Sequence, residues 1–159
     1  MKKTRMISLL LAMVASLAVV SLVWAGTTVE DEFLMKTKEY KSHKYNYAPF
    51  THKKHAEDYN ISCGECHHDE NGKPLELKMG DDVQRCIECH TKPGKAPKKK
   101  GKKKLKGAAK RQYHAEALHE NCISCHKTFN KKFKKETGKK KGPAPTSCKK
   151  CHPGGKMKK

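Results

Sequence analysis

The sequence predicts a mainly α chain with little regular structure, whose compact core is not made by its own side chains. Three observations lead there. The pattern Cys-x-x-Cys-His occurs four times, at Cys63 to His67, Cys86 to His90, Cys122 to His126 and Cys148 to His152, and these motifs use all eight cysteines. Aromatic residues make up 6% of the chain and charged residues 33%, a balance close to the disordered class. Between the motifs lie Lys-, Gly- and Pro-bearing stretches that read as solvated loop.

Cys-x-x-Cys-His is the attachment signature of c-type haem. Two thiols add across the vinyl groups of one porphyrin, and the adjacent histidine reaches the iron. Cys63, Cys66, Cys86, Cys89, Cys122, Cys125, Cys148 and Cys151 are therefore the expected attachment points of four c-type haems. His67, His90, His126 and His152 are the expected proximal iron ligands. Each haem is a large apolar plate, so the expected multihaem core is mostly porphyrin. The haem-free chain is then expected to be largely unfolded, as small metal domains are without their metal.

Three other chemistries use paired cysteines. Zinc ribbons do, and the 19 residues between Cys66 and Cys86 fit that spacing, although the 22 between Cys125 and Cys148 fall outside it. A thioredoxin-like redox pair needs a βαβ context that this sequence lacks. A disulfide framework is the third. None of them explains a histidine directly after the second cysteine four times over.

Residues 1–25 read as a signal peptide. Lys2, Lys3 and Arg5 are the charged start, Met6 to Trp24 the apolar run, and Val23-Trp24-Ala25 the cleavage site. An uncleaved anchor is the alternative, since the run is about long enough to span a bilayer. Either way the remainder is exported, which suits a haem attached outside the cytoplasm. Residues 26–159 are expected to form a single tetrahaem domain.

Its charge is divided. Residues 26–91 hold 9 Lys/Arg against 13 Asp/Glu, and residues 92–159 hold 24 against 3. Almost all of the basic residues are lysine, which suits a solvated, steering surface more than bidentate phosphate reading. The segment 27–47, with Tyr40, Tyr45 and Tyr47, reads as an extended arm that packs aromatics over a haem, or as a frayed terminus. Pro49 and Thr51 suit a helix start. His52 and His55 are three apart, on neighbouring helical faces, so they cannot approach one haem from opposite sides. His67 and His68 diverge by about 100° and must likewise serve different haems. Residues 92–107 are a lysine-rich loop, and 112–119 has helical propensity. Phe129 and Phe133 are placed to cover a haem edge, and 153–159 reads as a flexible tail.

These residues resemble the class III tetrahaem cytochromes c of sulfate-reducing bacteria. The resemblance covers residues 47–152. It rests on Phe50-x-His52-x-x-His55, the doubled His67-His68, four motifs in order, and Tyr113-His114 with a later His119 before the third motif. It implies that every haem has two histidine ligands: His67 with His52, His90 with His68, His126 with His55, and His152 with His119 or, alternatively, His114. The last histidine before the third motif, His119, is the family's usual choice. His43, and whichever of His114 and His119 is not a ligand, are then expected to be surface histidines. Met35, Met79 and Met157 could ligate iron, but nothing demands them. The large lysine-rich insert, and the two-residue gap in every motif where many relatives have four in some, point to a divergent subtype.

Two histidines on each iron leave no position for substrate, so the expectation is a low-potential electron carrier rather than an enzyme. The resemblance implies a periplasmic shuttle between a hydrogenase or formate dehydrogenase and a membrane-bound redox complex. The basic half should dock acidic redox proteins, with haem 4, among Lys149, Lys150 and Lys156, as the entry point. A multihaem reductase would need one five-coordinate iron. A basic zinc-ribbon protein binding nucleic acid fits neither the export signal nor the absence of aromatics among the lysines. The net charge favours a monomer.

Overall fold

The computed structural model describes residues 29–97 and 104–157. The expected signal peptide lies outside the described residues, as do the middle of the lysine-rich loop, 98–103, and the last two residues of the tail.

The chain begins as an arm that closes on itself in a two-residue ladder. Strand β1, Phe33–Leu34, runs antiparallel to β2, Pro49–Phe50, with Phe33 opposite Phe50 and Leu34 opposite Pro49. The Phe33 and Phe50 rings meet edge-on at 5.5 Å. A two-stranded edge tolerates Pro49, which has no N–H to donate. The helix expected from Pro49 therefore starts later. Helical turns begin at His52 and widen into a π-helical turn over Lys54–Asp58, where the Tyr59 N–H reaches back five residues to the Lys54 carbonyl at 3.0 Å. Such widened turns are common at functional sites.

The four motifs are all helical turns. The first opens with a 3-10 turn, Cys63–Glu65, the second is helix α1, Cys86–Cys89, and the fourth is the single turn Cys148–Cys151. In each, the histidine N–H donates to the carbonyl of the first cysteine: His67 to Cys63 at 2.8 Å, His90 to Cys86 at 2.9 Å, His152 to Cys148 at 2.8 Å. One i to i−4 bond thus folds five residues so that both cysteines and the histidine are close in space.

A short helix α2, Gly107–Arg111, precedes the long helix α3, His114–Thr137, which carries the third motif inside it. The fourth-motif turn, Cys148–Cys151, is helix α4. The expected helical stretch at 112–119 begins α3, which continues to Gly138. There the backbone turns left-handed, φ 69°, and the Gly138 N–H donates to the Lys134 carbonyl at 3.0 Å, the usual glycine stop. Both α1 and α2 pack on α3.

The polypeptide brings almost no apolar core of its own. Among the described residues only Ile87 of α1, Ala117 and His114 of α3 are buried. Backbone bonds at the edges do much of the joining. Lys92 exchanges bonds with Gln112 and His114, and Gly94 accepts from Ala115, so the near end of the lysine-rich loop is tied to the start of α3. Residues 153–157, expected as part of a flexible tail, lie against the arm: Tyr45 and Lys156 form an antiparallel bridge, and Met157 N–H donates to the Lys44 carbonyl at 3.1 Å. Among the described residues no helix is long and apolar enough to cross a membrane.

Candidate functional site

Eight of the ten histidines come together as four opposed pairs. His52 lies 6.4 Å from His67, His68 5.9 Å from His90, His55 6.2 Å from His126, and His119 6.3 Å from His152, measured between ring centres. Each pair joins a motif histidine to one outside that motif. A metal held between two imidazoles sits about 2 Å from each nitrogen, which sets the ring centres about 6.3 Å apart. All four separations match that span.

The second ring nitrogen fixes the orientation of four of these rings. His55 Nδ1 donates to the Thr51 carbonyl at 2.8 Å, His68 to Asp69 at 2.7 Å, His126 to Pro145 at 2.7 Å, and His152 to Asn46 at 2.6 Å. A carbonyl only accepts, so the proton is on Nδ1 and the Nε2 lone pair is free for a metal. The Nδ1 atoms of His52 and His119 are buried without a hydrogen-bond partner of good geometry. Burial lowers the proton affinity of His67 and His119, which also keeps a lone pair available.

The other two histidines are engaged elsewhere. His114, the left-over histidine expected at the surface, is instead buried, because its ring is taken up by the arm, with its Nδ1 2.8 Å from the Tyr40 hydroxyl. His43 stacks on Tyr40 at 4.9 Å, meets Tyr47 edge-on at 4.8 Å, and donates to the Thr37 carbonyl at 3.3 Å. His119 therefore faces His152, whereas His114, five residues earlier on the same helix, faces the arm. Tyr45 adds a ring 5.5 Å from His152.

The eight cysteines form no disulfide with one another. Burial raises the thiols of Cys66, Cys86 and Cys151, and pushes Cys122 up to about 11, with the charges of Cys66, Cys86, Cys151 and Cys125 adding to it. Among the described residues no three His, Cys, Asp or Glu side chains converge as a zinc site requires. Two imidazoles facing each other, with cysteines beside one of them, suit a metal whose remaining ligands come with a macrocycle.

A family model described as the class III cytochrome c family matches residues 29–152. The chain belongs to that family. No curated protein and no solved structure matches it significantly. Family membership makes this cytochrome an electron carrier that binds c-type haem. The match starts at residue 29, so it takes in the arm as well as the motifs.

Sequence reasoning did not single out the carbonyls of Thr51, Asp69, Pro145 and Asn46 that hold the imidazoles. Every residue carries a carbonyl, so no residue type marks these four. Asn130 was also missed. Its side chain accepts from the Ala144 N–H at 3.0 Å and donates to the Ala144 carbonyl at 2.8 Å, which places Pro145 against His126.

Proposed function

We propose that this cytochrome is a periplasmic, low-potential carrier of four c-type haems that shuttles electrons between a hydrogenase or formate dehydrogenase and a membrane-bound redox complex. The observation that carries the reading is the set of four opposed histidine pairs, each beside one Cys-x-x-Cys turn. In this reading Cys63 and Cys66, Cys86 and Cys89, Cys122 and Cys125, and Cys148 and Cys151 hold the four groups. The irons are held by His67 with His52, His90 with His68, His126 with His55, and His152 with His119. When bound, each haem supplies a one-electron site, with a potential lower than methionine ligation would give.

The chain's own contribution is orientation and enclosure. The Nδ1 bonds to carbonyls fix four rings and raise the basicity of their Nε2 atoms, which favours the oxidised metal. Imidazoles on both sides leave no place for a substrate, so the reading is transfer rather than catalysis. The pairing of His55, from the first half, with His126 on α3 supports one domain over 26–159 rather than two. The exposed Lys149 and Lys150 of α4, with Lys156, supply a basic surface around the fourth pair for an acidic partner. Export by a signal peptide ending at Ala25 places the chain where such haems are attached.

The test is the optical spectrum of the exported protein, oxidised and reduced, with its intact mass. Four added haems and a wholly low-spin spectrum are the expected result. A high-spin fraction would favour a reductase with an open iron, and a colourless zinc protein would end the haem reading.

A further inference from the structure

Asn46 joins the arm to the C-terminal segment at three points. Its backbone carbonyl accepts the His152 Nδ1–H at 2.6 Å. Its backbone N–H donates to the Gly155 carbonyl at 3.0 Å, and its side-chain amide donates to the Pro153 carbonyl at 3.0 Å. Three of the polar groups of one residue are thus spent on the four residues that start with His152. The approach is close: a Cβ on Gly154 would overlap the Asn46 amide nitrogen, and Gly154 is left-handed at φ 81°. The Tyr45–Lys156 bridge and the Met157 bond to Lys44 continue the clasp by two residues along the arm and the C-terminal segment.

We infer that Asn46 is a positioning residue for the fourth haem: it clasps the chain after His152 so that its own carbonyl stays on the His152 imidazole and sets the potential of that site. The inference rests on the reading of His152 as an iron ligand. An imidazole whose Nδ1–H is strongly accepted is the more basic ligand and holds the oxidised metal better. A carbonyl on a free arm would drift from that ring. In this chain it is fixed because the residue that offers it also grips the backbone one and three positions beyond the histidine. The third motif reaches the same end with a different asparagine, since Asn130 clamps Ala144 and so places the Pro145 carbonyl on His126.

The experiment is a redox titration of the haem-loaded protein and three variants, followed by electron paramagnetic resonance so that each low-spin site is seen separately. Asn46→Ala loses the Pro153 bond, and Gly154→Ala disrupts the same clasp from the other side. In both, one and the same potential should move upward, with its low-spin signal shifted and the other three unchanged. Asn130→Ala should move a different one. The inference is overturned if neither Asn46→Ala nor Gly154→Ala moves a single potential, if all four move together, or if both variants merely fail to retain haem. His152→Met tests the ligand reading separately. If it leaves all four bis-histidine signals intact, the ligand reading of His152 is wrong, whatever Asn46 does.

Discussion

The His119 ring stands 6.3 Å from that of His152, while His114, one and a half turns earlier on α3, sits with its Nδ1 2.8 Å from the Tyr40 hydroxyl. The two histidines precede the same motif, and the helix assigns them different tasks. A side chain at i+5 is rotated well over a quarter turn from its predecessor, so both cannot face α4.

Replacing the two should therefore give different losses. His119→Ala should convert one of four low-spin haems to a high-spin, five-coordinate centre, read in the optical spectrum. His114→Ala should keep all four low-spin. It removes a buried, hydrogen-bonded ring, so it should instead lower stability by about 1–3 kcal/mol, read by denaturant unfolding. A high-spin band in His114→Ala with none in His119→Ala would reverse the assignment.

Removal of haem should remove the fold. Among the described residues the buried apolar side chains are Ile87 and Ala117 alone, far too little apolar burial to offset the entropy of ordering a chain of this length. Helix α3, at 24 residues, is long enough to keep some local helicity by itself. Far-UV circular dichroism of haem-free protein should thus show a weak helical signal that fades gradually with temperature. A sharp, cooperative unfolding transition would show that the polypeptide folds without its haems.

Much of the site was legible because covalent chemistry constrains sequence directly. Two sulfurs and an imidazole must meet one ring, and that fixed the spacing at Cys63, Cys86, Cys122 and Cys148. The rule that neighbouring helical histidines serve different partners is consistent with His52 facing His67 while His55 faces His126. Less was legible of what supports those rings, because the acceptors are backbone carbonyls set by tertiary folding. The two-residue ladder at Phe33–Leu34 is too short to show alternation. The stretch after His119 reads as motif followed by lysines, yet it stays helical to Thr137, since lysine costs a helix little and no glycine intervenes before Gly138. The tail reads as Gly and Lys without a pattern, and its partners in the fold, Lys44, Tyr45 and Asn46, lie more than a hundred residues away.

The end of α3 offers a local test. Gly138 is at φ 69°, where a Cβ is disfavoured, and nothing surrounds the position a Cβ would take. Gly138→Ala should cost about 1 kcal/mol through backbone strain alone, with no change in the haem spectrum. Thermal unfolding followed in the far-UV would report the cost, and the optical spectrum the absence of any effect on ligation. A spectral change would mean that the turn after α3 is coupled to His126 through the segment ending at Pro145.

The lysines around the fourth pair should act on encounter rather than on the haems. Lys149 and Lys150 are exposed on α4, between the two cysteines of their motif, and neither forms an ion pair with another described residue. Charges of this kind raise association rates with an oppositely charged protein, and their effect fades as the screening length drops below about 10 Å near 0.1 M salt. Changing both to glutamate should slow reduction by an acidic redox protein by roughly tenfold at low ionic strength and converge with the unaltered protein at high salt. Reduction by a small neutral reductant should be the same for both proteins, because it needs no docking. Stopped-flow rates across a salt series distinguish the cases. If the double variant is slowed equally by both reductants at every salt concentration, the lysines are altering the fourth site itself and not the approach of a partner.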